Sequence, residues 1–314
     1  MNEVAIAPDR TKFIGGSDIA SILNISPWRS AVELWEDKRK PRVQGPERKV
    51  LTRGKRWESV VAEMLVAELE RQGHKVEIVN ANARYVDPKF PMFACEIDFE
   101  VRLDGEQEIT NVELKTVHPF KLKEWGDSGT DSAPIWYMAQ AMWGLGITGR
   151  RRCIIAALFG ADDLKTYPVD RDEATINAMR DRAAKFWSEH VLPGVPPNPV
   201  RLSDLDVLHP QESEANALLA DDELTAKVLR LRAIDKEIKA RTAEAEALEF
   251  DIKLVMGPCS EVIVADSSAI TWKSRPHTYL DQAALKEAHP KLAKEFTRKG
   301  ESRVFTLKQF GWKG

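Results

Sequence analysis

Asn111-Val112-Glu113-Leu114-Lys115-Thr116 is the stretch on which the reading of this chain turns. From Val112 to Val117 the residues alternate in polarity and are rich in β-branched side chains. The run lies between the turn signal Asp104-Gly105 and the break at His118-Pro119, which predicts a strand. Successive side chains on a strand point to opposite faces, so Glu113 and Lys115 share one face and Leu114 takes the other. A carboxylate and an ammonium are thereby presented to one spot.

Working outward, Phe93 to Val101 reads as a second strand, and Asp104-Gly105 between the two runs lays them side by side. Asp98 then stands beside Glu113 and Lys115. Two close carboxylates repel unless a proton or a cation comes between them, and hard oxygen donors with positions left for water suit Mg²⁺ or Mn²⁺. Glu96 shares the strand parity of Asp98 but lies farther from the turn, which makes Asp98 the expected ligand.

An Asp, a spacer and then Glu-x-Lys on a strand resembles the signature of the PD-(D/E)xK nucleases. Gly54-Lys55-Arg56-Trp57-Glu58 is similar to that family's helix start, a glycine and a basic residue ahead of a glutamate. Ile14-Gly15-Gly16-Ser17-Asp18-Ile19-Ala20, followed by Ser26-Pro27-Trp28, resembles the amino-terminal motif of the branch containing YqaJ-type viral recombinases and phage lambda exonuclease. Tyr137-Met138-Ala139-Gln140 resembles the helix that follows the catalytic strand in that branch. Together, and in this order, these motifs are far more specific than any one of them, and they span roughly residues 10 to 190.

The resemblance implies an α/β (α+β) fold with a restriction-endonuclease-like core, a central mixed β-sheet flanked by helices. It implies a Mg²⁺-dependent 5′-to-3′ exonuclease, with Mn²⁺ as substitute. Such an enzyme resects double-stranded DNA from 5′-phosphorylated ends and leaves 3′ tails for a single-strand annealing protein. Members of the branch form ring-shaped trimers, so a homotrimer is expected. Carried over position by position, Glu58, Asp98, Glu113 and the backbone carbonyl of Leu114 would hold the metal. Lys115 would orient or help deprotonate the attacking water, and Gln140 would hydrogen-bond near the lysine or the scissile strand. Arg10 and Ser17 would hold the terminal 5′-phosphate. The chain departs from the pattern where many relatives read Pro-Asp-Gly, since Ile97-Asp98-Phe99 stands there. Two other readings compete: an endonuclease with the same metal site, and an inert DNA-binding or recruitment protein on the same fold. The complete set Asp98, Glu113, Lys115 argues against the inert protein.

Composition narrows the classes further. Across 314 residues, 46 Lys and Arg face 49 Asp and Glu, a net charge of -3, which excludes a generally polycationic DNA coat. Contacts to nucleic acid would come from local basic patches. Cys95, Cys153 and Cys259 form no CxxC pair, which argues against a zinc site and a disulfide framework and suits a reducing cytoplasm. The expected setting is the cytoplasm of a bacterial host, for a phage or prophage product. No apolar run approaches the ~20 residues of a membrane span, and the amino terminus lacks a signal pattern.

In chain order, a short helix is expected from Ser17 to Leu23. Ser17 would cap it, and the glycine pair before it would offer N–H groups to an anion; apart from the resemblance, a plain cap is the simpler reading. A second helix runs from about Ser30 to Lys40. The densest basic stretch follows, through Lys38, Arg39, Lys40, Arg42, Arg48, Lys49, Arg53, Lys55 and Arg56, and suits a duplex backbone. Arg53, Lys55 and Arg56 are its candidate DNA contacts. A third helix, from near Lys55 to Arg71, carries an apolar stripe of Val60, Val61, Met64, Leu65 and Leu69. Glu58 falls in its first turn, where the helix dipole favours a carboxylate. Strands are expected at about 76–79, 83–86, 93–103 and 107–117, then a helix from Pro134 to Gly146. Strands at Cys153 to Phe159 and Lys165 to Val169 and a helix from Arg171 to His190 complete the core. His118, just past a strand end and before a proline, reads as structural rather than as a general base.

Four prolines between Pro193 and Pro199 mark a boundary, because such a run continues neither helix nor central strand. The expected organisation is a nuclease core over 1–192, a proline-rich linker over 193–210, a long amphipathic, coiled-coil-like helix over 211–258 and a small accessory α+β module over 259–314. The long helix is read from Leu224, Val228, Leu231, Ile234, Ile238, Ala245, Leu248, Ile252 and Val255, with an interruption at Arg241. The last module is read as strands at 262–265, 269–272 and 303–307 around helices at 281–288 and 291–298.

Overall fold

In the computed structural model, which describes residues 9–40, 49–212, 217–298, 300 and 303–308, a helical turn at Arg10–Lys12 precedes two short helices, α1 (Gly16–Ile22) and α2 (Ala31–Arg39). Ser30 starts α2 with a reciprocal cap: its hydroxyl accepts from the Glu33 N–H, and the Glu33 carboxylate accepts from the Ser30 N–H. The third helix, α3 (Lys49–Arg71), begins six residues earlier than Lys55. Gly54 inside it costs about 1 kcal/mol relative to alanine but does not break it. Glu58 is therefore an interior residue of α3, and the first-turn dipole argument does not apply to it.

Five strands follow with two helices among them: β1 (Val76–Val86), β2 (Ala94–Leu103), β3 (Thr110–Val117), α4 (Ile135–Thr148), β4 (Arg152–Phe159), β5 (Asp163–Asp170) and α5 (Glu173–Lys185). The strands form one sheet in sequence order. β1, β2 and β3 are successively antiparallel, β3 and β4 are parallel, and β5 returns antiparallel to β4. Asp104 and Gly105 take φ values of 53° and 75°, the left-handed pair of a tight turn, and start the return from β2 to β3. A parallel pair needs a crossover, and α4 supplies it between β3 and β4. The mixed sheet flanked by helices expected from the sequence is the fold the chain adopts.

α3 covers one face of the sheet, packing Val61, Leu65 and Leu69 against Phe99, Val101, Val112, Leu114, Ile154 and Ala156. The other face lies under α1, α4 and α5, where Ile19, Trp143, Ile147 and Met179 meet Phe93, Cys95 and Ile97. α4 approaches closely because Gly144 is small there. A Cβ on it would stand 3.1 Å from Ile97 Cδ1.

β1 is one strand where the sequence suggests two. The pairing slips between Ile78 and Asn80, and Asn82 takes φ 54°, so the apolar alternation is interrupted while the ladder to β2 continues. By its contacts the chain divides into two compact units, Met1–Pro210 and Gln211–Gly314. The proline-rich stretch read as a linker lies in the first of these. There Arg201 donates to the Ser26 carbonyl, and α6 (Leu202–Leu208), capped by Asp204, packs on α2.

The second unit contains α7 (Asp222–Met256), uninterrupted at Arg241, a hairpin of β6 (Glu261–Val264) and β7 (Ser267–Thr271), and two short helices, α8 (Gln282–Ala288) and α9 (Pro290–Phe296). Residues 303–307, expected as a strand, have no regular structure. Among the described residues no helix is long and apolar enough to cross a membrane.

Candidate active site

The position of Asp98 follows from a local irregularity in β2. Cys95 and Ile97 pack on the α4 side of the sheet, whereas Phe99 and Val101 pack on the α3 side. Regular alternation would keep all four on one face, so the strand changes face at Asp98. Pairing with β3 runs from Val101–Thr110 to Phe99–Val112 and stops there, one step short of Asp98 and Glu113. The Asp98 carboxylate takes up the freed backbone donor: its Oδ2 accepts from the Leu114 N–H at 2.9 Å. In this edge-on position Asp98 lines hollows on both faces of the sheet. Glu96, the other acid of the strand, forms an ion pair with Arg84 at 3.2 Å.

Glu113 and Lys115 lie on the α4 face, as their spacing requires. Lys115 Nζ and Gln140 Nε2, the latter from α4, both donate to Glu113 Oε1. Burial pushes the Glu113 carboxyl up to about 7, and the Asp98 charge adds to the effect against the pull of Lys115. Burial alone would lower the Lys115 ammonium, but Glu113 and Asp98 outweigh it and hold Lys115 above its ordinary value. The Lys115 ammonium also sits 5.2 Å from the centre of the Tyr137 ring. A cavity of about 100 Å³ collects Asp98, Glu113 and Gln140 together with Arg10 and Ser17.

Glu58 faces a different hollow, of about 580 Å³, which it lines with Asp98 and Leu114 between α3 and the sheet. Among the described residues no three His, Cys, Asp or Glu side chains converge as a metal cluster, so Glu58 is not gathered with the acid pair. The donor set nevertheless fits a hard divalent cation. Burial first and then the Asp98 charge raise Glu113, a penalty that a cation between the two carboxylates would relieve, and Mg²⁺ characteristically takes one or two carboxylates and completes its shell with water and phosphate oxygens. Asp98 and Glu113 are the residues that would hold it.

Arg10 and Ser17 meet directly, with Arg10 Nη2 donating to Ser17 Oγ at 2.8 Å. The sequence reading missed what holds them there. Asp18, fully buried in α1, accepts from the Gly15 N–H at 3.0 Å, Lys38 Nζ at 2.7 Å, Arg29 Nη2 at 2.6 Å and Arg10 Nη2 at 3.3 Å. Burial works to raise its carboxyl, but Lys38, Arg10 and Arg29 hold it well below the usual carboxylate range. Arg10, Arg29 and Lys38 against Asp18 and Asp37, the latter paired with Arg29 at 3.0 Å, leave this corner with a net positive charge beside the acid pair. Close packing sets it against α4 as well: a Cβ on Gly16 would lie 3.2 Å from Gln140 Cγ, and one on Gly15 would lie 3.3 Å from Arg10 Nη2.

Of the basic stretch, Lys38 is therefore buried rather than free for DNA, and Arg39 lies over the Trp35 ring at 4.5 Å. Arg56 is exposed. Arg42 and Arg48 lie outside the described residues, as do the side chains of Lys49, Arg53 and Lys55. His118 caps the turn Pro119–Glu124 by accepting from the Phe120 N–H.

The adjacent strands β2 and β3 of the mixed sheet carry Asp98 and Glu113-Leu114-Lys115, the pattern that resembles the PD-(D/E)xK signature. Residues 7–151 match the family model described as the YqaJ-like viral recombinase domain. The chain is 27% identical to an uncharacterized protein, YqaJ, of Bacillus subtilis (strain 168), over 96% of this chain and 92% of the relative. Among solved structures, it is similar to an alkaline exonuclease, LHK-Exo, from Laribacter hongkongensis, at 16% identity and a TM-score of 0.44, over 59% of this chain and 91% of that one. It is also similar to a phage-related exonuclease from Haemophilus somnus 129PT, at 13% identity and a TM-score of 0.40, over 58% of this chain and 96% of the other.

Proposed function

We propose that the protein is a metal-dependent deoxyribonuclease that degrades double-stranded DNA from its ends, in the 5′-to-3′ direction. The observation that carries this reading is the face switch at Asp98, which sets its carboxylate beside Glu113 and Lys115 at a break in the sheet ladder. A bound Mg²⁺ or Mn²⁺ would supply Lewis acidity toward the scissile phosphate and an activated water. Asp98, Glu113 and the Leu114 carbonyl would hold that ion, and Glu58, which lines a separate hollow with Asp98, would reach it only through a rearrangement of α3. Gln140 fixes the Glu113 carboxylate through Oε1. Lys115, held protonated by its two acid neighbours, orients the water and offsets charge on the phosphate in the transition state.

The direction of degradation is supported by the electropositive corner. Arg10 and Ser17 line the same cavity as the acid pair, so a terminal 5′-phosphate bound there sets the next phosphodiester at the acids. Arg53, Lys55 and Arg56 contact the duplex backbone. The 3′ single strands so produced serve a single-strand annealing protein, and the active assembly is a homotrimeric ring, which gel filtration would report at three times the 35.4 kDa chain mass. A profile of monomer alone would remove the ring.

The reading is tested on linear duplexes with 5′-phosphate or 5′-hydroxyl ends, for the wild type and Arg10→Ala. Faster digestion of the phosphorylated end, with the difference abolished by the substitution, is the expected result. Equal rates on both ends by the wild type would remove the assigned polarity. Cleavage of closed circular duplex would make the protein an endonuclease.

A further inference from the structure

Beside the catalytic strand lies a second cavity, of about 300 Å³, that the proposed hydrolysis does not use. Its wall begins at Thr116 and Val117, immediately after Lys115, and continues through Trp28, Trp136 and Tyr137. The three rings form one cluster: Trp28 meets Trp136 edge-on at 5.5 Å between centroids and lies 5.8 Å from Tyr137. Tyr137 is backed by Trp125, stacked at 5.3 Å, and Trp125 belongs to the core with Phe159 and Tyr167. Trp28 has no such excuse. It is 65% exposed at the mouth of the cavity, on the loop between α1 and α2, where Ser26 Oγ accepts from the Trp28 and Arg29 N–H groups and fixes the loop. The polar rim is formed by His118, Lys121 and Glu124.

We infer that this cavity is a nucleobase-binding subsite, in which an unpaired base of the strand being hydrolysed stacks on the exposed face of Trp28, with Trp136 edge-on beside it, while its phosphate lies at Asp98, Glu113 and Lys115. The inference rests on the nuclease reading and adds the partner of a surface that reading leaves unexplained. Indole faces suit the flat face of a base and are indifferent to its identity, which is what a nuclease without sequence preference requires. Continuity fixes the occupant. Tyr137 touches both the cavity and the Lys115 ammonium, so a chain whose phosphate reaches the lysine brings the attached nucleoside to the aromatic wall. A base can enter only if it has left its partner in the duplex, so the subsite also holds the end open by the last pairs.

The test places 2-aminopurine at each of the three terminal positions of the 5′-phosphorylated strand of a linear duplex, with Ca²⁺ in place of Mg²⁺. Binding of the wild type should quench one position selectively. Trp28→Ala should abolish the selective quench and weaken end binding by roughly five- to a hundredfold, the range for losing one base–aromatic stack. Trp28→Phe should retain it. In Mg²⁺, an abasic residue at the quenched position should slow the wild type to the rate of Trp28→Ala on intact DNA. Equal quenching by wild type and Trp28→Ala, or no binding of the duplex end, would overturn the subsite. Failure of the wild type to hydrolyse any duplex would instead remove the nuclease reading, and the fluorescence, which needs no turnover, would still decide the subsite.

Discussion

Asp18→Asn is the substitution whose consequence the structure fixes most closely. Each carboxylate oxygen of Asp18 accepts two donors: Oδ1 from Arg10 and Arg29, Oδ2 from the Gly15 N–H and Lys38. An asparagine offers one oxygen, so in either orientation its amide group is aimed at two donors; Arg10 and Lys38 lose their countercharge, and Arg29 keeps only Asp37. Breaking a buried pair from one side costs about 3–5 kcal/mol. The lower part of that range is expected, because Lys38 Nζ keeps the carbonyls of Arg10 and Phe13 at 2.7 and 2.5 Å. With about 2–4 °C lost per kcal/mol in a domain of this size, a loss of about 3–4 kcal/mol should lower the thermal midpoint by roughly 6–16 °C. Asp170→Asn, at an exposed pair with Arg152, is the control and should leave the midpoint in place.

The pH dependence of that difference has a definite sign. The folded state holds the Asp18 carboxyl below its ordinary value of 3.8, so the stability it contributes is present above that value and is lost as the pH falls through the folded one. The gap between wild type and variant should be constant from neutral pH to about 5 and should close below about 4. A variant that unfolds within 2 °C of the wild type at pH 7, or a gap that widens in acid, would refute the argument that three cations depend on this carboxylate.

Three further outcomes follow from the site. Gly16→Val should displace Gln140, whose Cγ stands 3.2 Å from where a Cβ would sit, and lower turnover about tenfold while end binding through Arg10 persists; separate measurement of kcat and KM checks it. Metal-free protein should lose stability as the pH rises from 4.5 to 7, because the Glu113 carboxyl, raised in the folded state by burial and then by Asp98, favours folding only while protonated. Mg²⁺ should accordingly raise the thermal midpoint more at pH 8 than at pH 5.5, and a pH-independent increment would contradict that competition. Glu113→Gln, which cannot carry the charge, should remove the Mg²⁺ increment and lower hydrolysis by at least a hundredfold, read by calorimetric melting and a nucleotide-release assay.

The sequence made the strand pair legible because alternation and the Asp104-Gly105 turn are local signals, each written within a few residues. Parity on β3 held for the same reason. On β2 it did not hold. The face change at Asp98 comes from the end of the ladder and from packing on both sides of the sheet, and no periodicity in Cys95 to Val101 announces it. Asp18 was read only as part of the amino-terminal motif and Lys38 as part of a basic run suited to a duplex backbone, since their pairing joins residues 20 apart on separate helices. The proline-rich stretch 193–210 has the composition of a linker, but Arg201 and Asp204 supply backbone contacts that anchor it beside α2. Trp28 was visible only as part of a motif; that it stands with Trp136 at the end of the catalytic strand is a fact of tertiary structure.

The central claim, that Asp98, Glu113 and Lys115 hydrolyse DNA from its ends with a divalent ion, is tested most directly by nucleotide release from linear duplex and from covalently closed circular duplex. Both substrates are incubated with wild type and Lys115→Ala, in Mg²⁺ and in chelator. Release from the linear duplex alone, dependent on Mg²⁺ and absent in a Lys115→Ala protein that still binds DNA, is the predicted result. Mg²⁺-dependent release that survives Lys115→Ala, or no release from either duplex by the wild type, would contradict the account.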